Sequence, residues 1–217
     1  MNIYYIIIII ILLYILYKLY YQQEDFINND TTFENNIIYN FISNDECDEL
    51  INMCNNRFID STIYETTTGN VNKSARSSKN VYFQRSENKL ISMIENKVSE
   101  IFKLDKNQLE PLQIVKYDKG NEYKLHYDYF DENSDEKFNQ RVYSIIIYLN
   151  DLKVEDGGST YFPLYNIRIR PEKGKAVYWL NKHGDKLNTM SLHAGEPVLT
   201  DTVKYVLTIW TREKSYS

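Results

Sequence analysis

The chain contains three histidines among its 217 residues, so each can be weighed individually. His126 stands in Tyr123-Lys124-Leu125-His126-Tyr127-Asp128-Tyr129-Phe130. On an extended strand, residues two apart project to the same face, so the spacing predicts that His126 and Asp128 enter one space together. An imidazole and a carboxylate delivered in that way form two corners of a facial triad. The third corner must come from a distant strand, and His193, in Ser191-Leu192-His193-Ala194-Gly195, is the candidate. Two histidines and one carboxylate on one octahedral face leave three positions open, a geometry that suits Fe(II) binding a bidentate co-substrate and O₂. Alone, His-x-Asp is a weak signal, and an ordinary strand histidine is the competing reading. His183, in Asn181-Lys182-His183-Gly184-Asp185, reads as a surface loop residue.

A cation joins these groups. Lys204 follows His193 by eleven residues, in Val203-Lys204-Tyr205-Val206-Leu207-Thr208-Ile209-Trp210. The alternation assigns Val203, Tyr205, Leu207 and Ile209 to one face of a strand, and Lys204, Val206, Thr208 and Trp210 to the other. A lysine inside a barrel needs an anion, because a buried unpaired charge costs several kcal/mol. The distal carboxylate of 2-oxoglutarate would supply one; a surface lysine on an edge strand is the alternative.

The elements that must position these groups change character along the chain. Ser43-Asn44-Asp45-Glu46 is a capping box, and Cys47, Leu50, Ile51 and Cys54 follow on one helical face. Residues from about Asp60 to Lys79, rich in Ser, Thr, Asn and Gly, read as a mobile loop. A second helix is expected from about Ser86 to Lys103, with Leu90, Ile91, Ile94, Val98, Ile101 and Phe102 inward. Short β-rich runs then follow at Leu112–Tyr117, Tyr123–Tyr127, Val142–Leu149, Ser159–Phe162, Ile167–Arg170, Ala176–Leu180 and Lys204–Thr211, separated by turn signals such as Asp156-Gly157-Gly158. Helices first and many short strands afterwards imply an α+β, mainly β fold: a β-barrel or jelly roll braced by amino-terminal helices.

Residues 1–21 do not belong to such a core. Ile3 to Tyr17 carries no charge, and Leu19, Tyr20 and Tyr21 continue past Lys18, which can snorkel. About 20 apolar residues span a bilayer, so the run is expected to be a single-pass membrane anchor; a cleaved leader is the alternative. Residues 22–36 form a polar tether, and 37–217 the catalytic domain. Orientation is weakly specified; two sequons, at Asn29 and Asn72, fit a lumenal, endoplasmic-reticulum-like location. The net charge of -5 gives no nucleic-acid surface. Cys47 and Cys54 would stand roughly 10 Å apart along a helix, beyond the reach of a disulfide at about 7 Å, and so read as buried small hydrophobes.

Several ordered motifs, taken together, resemble the prolyl 4-hydroxylase family. They are Leu112-Gln113-Ile114-Val115-Lys116-Tyr117, the stretch Tyr123 to Phe130, Tyr148-Leu149-Asn150-Asp151, Asp156 to Pro163, Gly174 to Trp179, and Ser191 to Val198. The resemblance runs from about residue 38 to Trp210. It implies a double-stranded β-helix, iron held by His126, Asp128 and His193, and Lys204 on the tail carboxylate of 2-oxoglutarate. Tyr117, Tyr148 and Thr160 fall at motif positions lining that co-substrate's pocket; core aromatics and a strand hydroxyl are their plain alternatives. Arg76, in Arg76-Ser77-Ser78, matches a loop that covers the family's substrate and would meet peptide carbonyls. The implied activity is hydroxylation of peptidyl proline with Fe(II), 2-oxoglutarate and O₂, releasing succinate and CO₂, with ascorbate among the family's cofactors. The same chemistry on another side chain or a small molecule is one alternative; a vestigial membrane-anchored β-barrel binding module is another. The chain departs from the pattern in the turn Thr200-Asp201-Thr202-Val203, which is one residue longer than usual and lacks glycine.

Overall fold

The computed structural model describes Tyr14 and residues 36–61 and 76–216. The expected anchor, nearly all of the tether and most of the Ser/Thr/Asn-rich loop lie outside the described residues. Among the described residues, no helix is long and apolar enough to cross a membrane.

Residues from Ile37 onward form one compact unit. Its main sheet has seven antiparallel strands in the order β1 (Ile37–Ile38), β9 (Ala176–Leu180), β6 (Arg141–Tyr148), β13 (Lys204–Arg212), β4 (Leu112–Tyr117), β3 (Lys79–Phe83) and β2 (Ile59–Asp60). A second antiparallel sheet orders β5 (Tyr123–His126), β12 (His193–Gly195), β7 (Thr160–Phe162) and β8 (Ile167–Ile169), and β10 (Lys182–His183) pairs with β11 (Lys186–Leu187) in a separate hairpin. Strands that leave one sheet and return through the other make the jelly roll that the residue pattern predicts.

Alternation decides which side chains serve the core and which serve the site. On β13, Leu207 and Ile209 join a core cluster with Leu112 and Ile114 of β4 and Ile145 and Ile147 of β6. Two helices cover that face: α1 (Asn44–Met53) through Cys47 and Leu50, and α2 (Lys89–Phe102) through Leu90, Ile91, Ile94 and Val98. The opposite face of the same strands presents Lys204, Val206, Thr208, Trp210, Gln113, Tyr117 and Ile146 to a pocket closed by the second sheet. One sheet therefore divides a dry core from the chemistry.

The helix signals act as their residues dictate. Glu46 N–H donates to Ser43 Oγ at 3.2 Å while Ser43 N–H donates to the Glu46 carboxylate at 2.7 Å, closing the capping box of α1. Cys47 and Cys54 are free, buried thiols, and burial pushes them up to about 11 and about 12. Helix α2 starts three residues later than expected, because Asn88 caps it by accepting from Ile91 N–H at 2.9 Å. Ser86 instead turns with φ 55° and donates its N–H to the buried Glu95 carboxylate at 2.9 Å. The expected inward set loses Ile101, which is 43% exposed near the end of α2.

One other expectation is corrected. The segment from Asp60 to Lys79 is not a loop throughout, since β2 and β3 occupy its two ends and Ser61 N–H donates to Ser78 O at 2.9 Å. Strand β3 escapes the sequence pattern because its buried set includes the polar Asn80, which erases the alternation.

Candidate metal centre and its pocket

Strand pairing brings the two histidines together. His126 ends β5, His193 begins β12, and the two are direct partners in the antiparallel register. Asp128 is not on the strand, as the two-residue spacing suggested; β5 stops at His126, and Asp128 lies in the bend beyond it. The bend still returns the carboxylate to the histidines. His126 Nε2 lies 3.5 Å from Asp128 Oδ1, and His193 Nε2 lies 3.6 Å from Asp128 Oδ2. The three ligating atoms all fall within 4.8 Å of one another, and they form the one His/Cys/Asp/Glu group able to hold a metal among the described residues.

The tautomers favour the same reading. His126 Nδ1 stands 2.7 Å from Lys124 O, and His193 Nδ1 stands 2.9 Å from Ser191 O. A carbonyl oxygen only accepts, so each Nδ1 carries the proton and each Nε2 presents a lone pair. Two lone pairs and a carboxylate thus converge at separations too long for hydrogen bonds. That is the donor set of a divalent cation, with the far side of each imidazole fixed by the backbone as metal ligands usually are.

Protonation follows the environment. Burial alone would raise the Asp128 carboxyl, but His193, His126 and the Arg141 guanidinium outweigh it and hold the group well below the usual carboxylate range. Burial and the neighbouring His126 pull His193 down to about 4, against the opposing charge of Asp128. An ionised aspartate and a neutral imidazole are the forms that bind metal near neutral pH. Asp128 is also anchored: Ser144 Oγ donates to Oδ2 at 2.6 Å, Asn181 Nδ2 donates to Ser144 Oγ at 2.9 Å, and Arg141 donates to the Asp128 carbonyl at 3.3 Å.

Lys204 lies in the same pocket, 2% exposed and opposite Tyr117 in the register of β13 with β4. Its ammonium sits 5.1 Å from the Tyr117 ring and 5.8 Å from the Tyr148 ring. No carboxylate of the described residues forms an ion pair with it, and burial pushes it down to about 7, with Glu196 only partly offsetting. Gly158 makes room for its stem: a Cβ there would meet Lys204 Cδ at 3.4 Å and Leu152 Cδ2 at 2.8 Å, on a backbone with φ +68°. The long turn before Lys204 is held without glycine, by Thr200 Oγ1 donating to Asp156 Oδ1 at 2.5 Å and Leu199 N–H donating to Asp156 O at 2.8 Å.

The remaining sequence candidates divide. Tyr117 and Thr160 stand on the pocket wall, whereas Tyr148 is fully buried behind it with its hydroxyl 2.7 Å from Thr160 Oγ1 and 3.2 Å from Ile169 O. Arg76 is buried at the mouth, donating to Ser78 Oγ at 2.9 Å and lying over the Tyr123 ring at 5.0 Å. His183 is exposed in the β10–β11 hairpin, as expected of a surface residue.

Sequence reasoning missed the supports. Ser144 and Asn181 behind Asp128 look like ordinary strand polars. Glu110 is buried and receives two bonds from Arg141, at 2.7 and 2.8 Å, and one from Arg212 at 2.5 Å. Arg141 in turn lies 3.8 Å over the Trp210 ring. Arg141 and Arg212 stand at strand ends and Glu110 just before β4, so no local pattern marked this cluster. It floors an aromatic groove, lined by Tyr82, Tyr127, Phe130 and Tyr216, that shares Arg76, Tyr123, Asp128 and Trp210 with the pocket.

Comparison with known proteins agrees with this geometry. Residues 112–212 match the 2OG-Fe(II) oxygenase superfamily. The chain is 30% identical over 202 residues to a probable prolyl 4-hydroxylase of Arabidopsis thaliana, covering 83% of this chain and 69% of that protein. It is also 30% identical to a putative prolyl 4-hydroxylase of Acanthamoeba polyphaga mimivirus, covering 83% and 75%. Among solved structures, a viral collagen prolyl hydroxylase from Paramecium Bursaria Chlorella virus-1, in complex with 2OG, superposes with a TM-score of 0.66 at 29% identity, covering 81% of this chain and 94% of the other.

Proposed function

Because the chain belongs to the prolyl 4-hydroxylase family of 2OG-Fe(II) oxygenases, we propose that it hydroxylates proline residues in a peptide, consuming 2-oxoglutarate and O₂ and releasing succinate and CO₂. The observation that carries this reading is the convergence of His126, Asp128 and His193 in a pocket that also buries the ammonium of Lys204. His126 Nε2, the Asp128 carboxylate and His193 Nε2 would hold Fe(II). Bound iron would couple oxidation of the keto acid by O₂ to oxygen insertion into a substrate C–H bond.

The chain's own residues bind, orient and exclude water. Lys204 takes the distal carboxylate of 2-oxoglutarate, whose arrival restores the charge that burial suppresses in the free pocket. Tyr117 and Thr160 border that co-substrate, and Tyr148 braces Thr160 from behind. The hydrogen bond from Ser144 fixes one oxygen of Asp128, so the carboxylate is oriented toward the metal rather than free to rotate. Arg76 meets a carbonyl of the peptide, and the aromatic groove receives proline rings in an extended, polyproline-like segment. Ascorbate serves as a further cofactor. The apolar run at residues 1–21 anchors the catalytic domain to a membrane, on its lumenal side.

Incubation of the full chain with Fe(II), 2-oxoglutarate, O₂ and a proline-rich peptide should release succinate in step with the gain of one oxygen atom per modified proline. Equal succinate release with a peptide whose prolines are replaced by alanine would refute the proline assignment while leaving the oxygenase reading intact.

A further inference from the structure

Lys204 stands at the first position of β13, where the two neighbouring strands hold it unequally. Toward β4 the pairing reaches Lys204 itself, opposite Tyr117. Toward β6 the paired positions stop at Val206, opposite Tyr148. Leu149 N–H still donates to Tyr205 O at 3.0 Å, and past it a side chain takes over from the backbone. Asn150 Nδ2 donates to Val203 O at 2.8 Å, and Asn150 Oδ1 accepts from Tyr205 N–H at 2.8 Å. One amide thus bonds to both peptide groups that flank the Lys204 Cα. Each peptide group is a plane, so holding the two sets φ and ψ of Lys204 and the direction in which its side chain leaves the strand.

The lysine needs such a hold. Its ammonium has no ion-pair partner among the described residues. The rings of Tyr117 and Tyr148 attract the cation through their faces, without the directed contact of a hydrogen bond. The latch on Asp156 holds the preceding turn at Leu199 and Thr200, several residues upstream. Asn150 does not line the pocket. Resting on the reading of Lys204 as the partner of the 2-oxoglutarate tail, we infer that Asn150 is a positioning residue for that contact. It aims the Lys204 ammonium at the distal carboxylate and touches neither the co-substrate nor the metal. Both halves of the amide are needed, because a carboxylate in its place accepts but cannot donate to Val203 O. The metal-binding end of the keto acid is held from β5, β12 and the bend at Asp128, so losing Asn150 weakens recognition of the tail alone.

The full chain, loaded with Mn(II) under anaerobic conditions, is titrated calorimetrically with 2-oxoglutarate and, separately, with oxalate. Oxalate chelates the metal through two adjacent oxygens but has no tail for Lys204. N150A should weaken 2-oxoglutarate binding by about tenfold, the scale of two lost hydrogen bonds, and leave oxalate binding unchanged. N150D keeps an acceptor for Tyr205 N–H but turns a carboxylate oxygen toward Val203 O, and should weaken 2-oxoglutarate binding at least as much. Wild-type affinity for 2-oxoglutarate in both variants, or parallel losses for the two ligands, overturns this inference and leaves the proposed function standing. A wild-type chain that binds oxalate but not 2-oxoglutarate overturns both.

Discussion

Lys204 gives the account a quantitative handle. Its amine is buried with no ion-pair partner among the described residues and pushed down to about 7, while the proposed contact with 2-oxoglutarate needs it protonated. In the free protein the protonated fraction therefore falls as pH rises through 7. With binding restricted to the protonated form, the apparent dissociation constant scales as one plus ten raised to (pH minus pKa). Between pH 6 and pH 8 that amounts to a loss of affinity of about tenfold, or about 1.4 kcal/mol. K204R, whose guanidinium stays charged throughout, should flatten this dependence. K204M should abolish measurable binding yet raise the melting temperature of the free protein, since it removes an unpaired buried cation. The sign for the wild type is also fixed: a lysine whose folded value lies below its unfolded value makes the free protein gain stability from pH 7 upward. Anaerobic calorimetric titration of the Mn(II)-loaded protein with 2-oxoglutarate at pH 6, 7 and 8 reads the effect without turnover. Equal affinity at pH 6 and pH 8 in the wild type, or tight binding by K204M, would refute the reasoning.

Other consequences follow from particular contacts. S144A removes the donor to Asp128 Oδ2 and should weaken Fe(II) binding by about 10- to 100-fold, and by leaving the buried Asn181 Nδ2 without its acceptor it should also cost about 1–3 kcal/mol of stability. L207A opens a cavity on the helix side of β13 and should cost about 2–5 kcal/mol in denaturant unfolding, leaving affinity for 2-oxoglutarate unchanged because Leu207 faces away from the pocket. E110Q leaves Arg141 and Arg212 without their shared carboxylate and should destabilise the fold by about 3–5 kcal/mol. The paired Glu110 is held below its ordinary value although burial opposes this, so its contribution is present above the unfolded carboxyl pKa and disappears as pH falls. The difference between wild type and E110Q in melting temperature should therefore shrink in acid.

How far the sequence could be read depends on the kind of signal each residue carries. The jelly roll was legible because β4, β6, β9 and β13 are short runs rich in Ile, Val and aromatic residues bounded by turn signals, apolar on both faces because one face meets two helices while the other lines a pocket. His126, Asp128, His193 and Lys204 were legible because histidines are scarce and a lysine in an apolar run is conspicuous. What escaped were features that depend on pairing across the chain. Asp128 leaves the strand yet returns to the same point, which local spacing cannot foresee. Tyr148 faces inward but gives its hydroxyl to Thr160, a partner that only the folded sheets bring close. Ser144, Asn181 and Glu110 carry no periodic mark; each matters through one neighbour supplied by another strand.

The most direct test of the central claim is anaerobic equilibrium binding of Fe(II) to the wild type and to H126A, D128A, H193A and H183A, read as iron retained per chain. The account predicts one Fe(II) per wild-type chain, retained by H183A and lost from each of the other three. Iron held as tightly by H126A as by the wild type, or released by H183A alone, would contradict it.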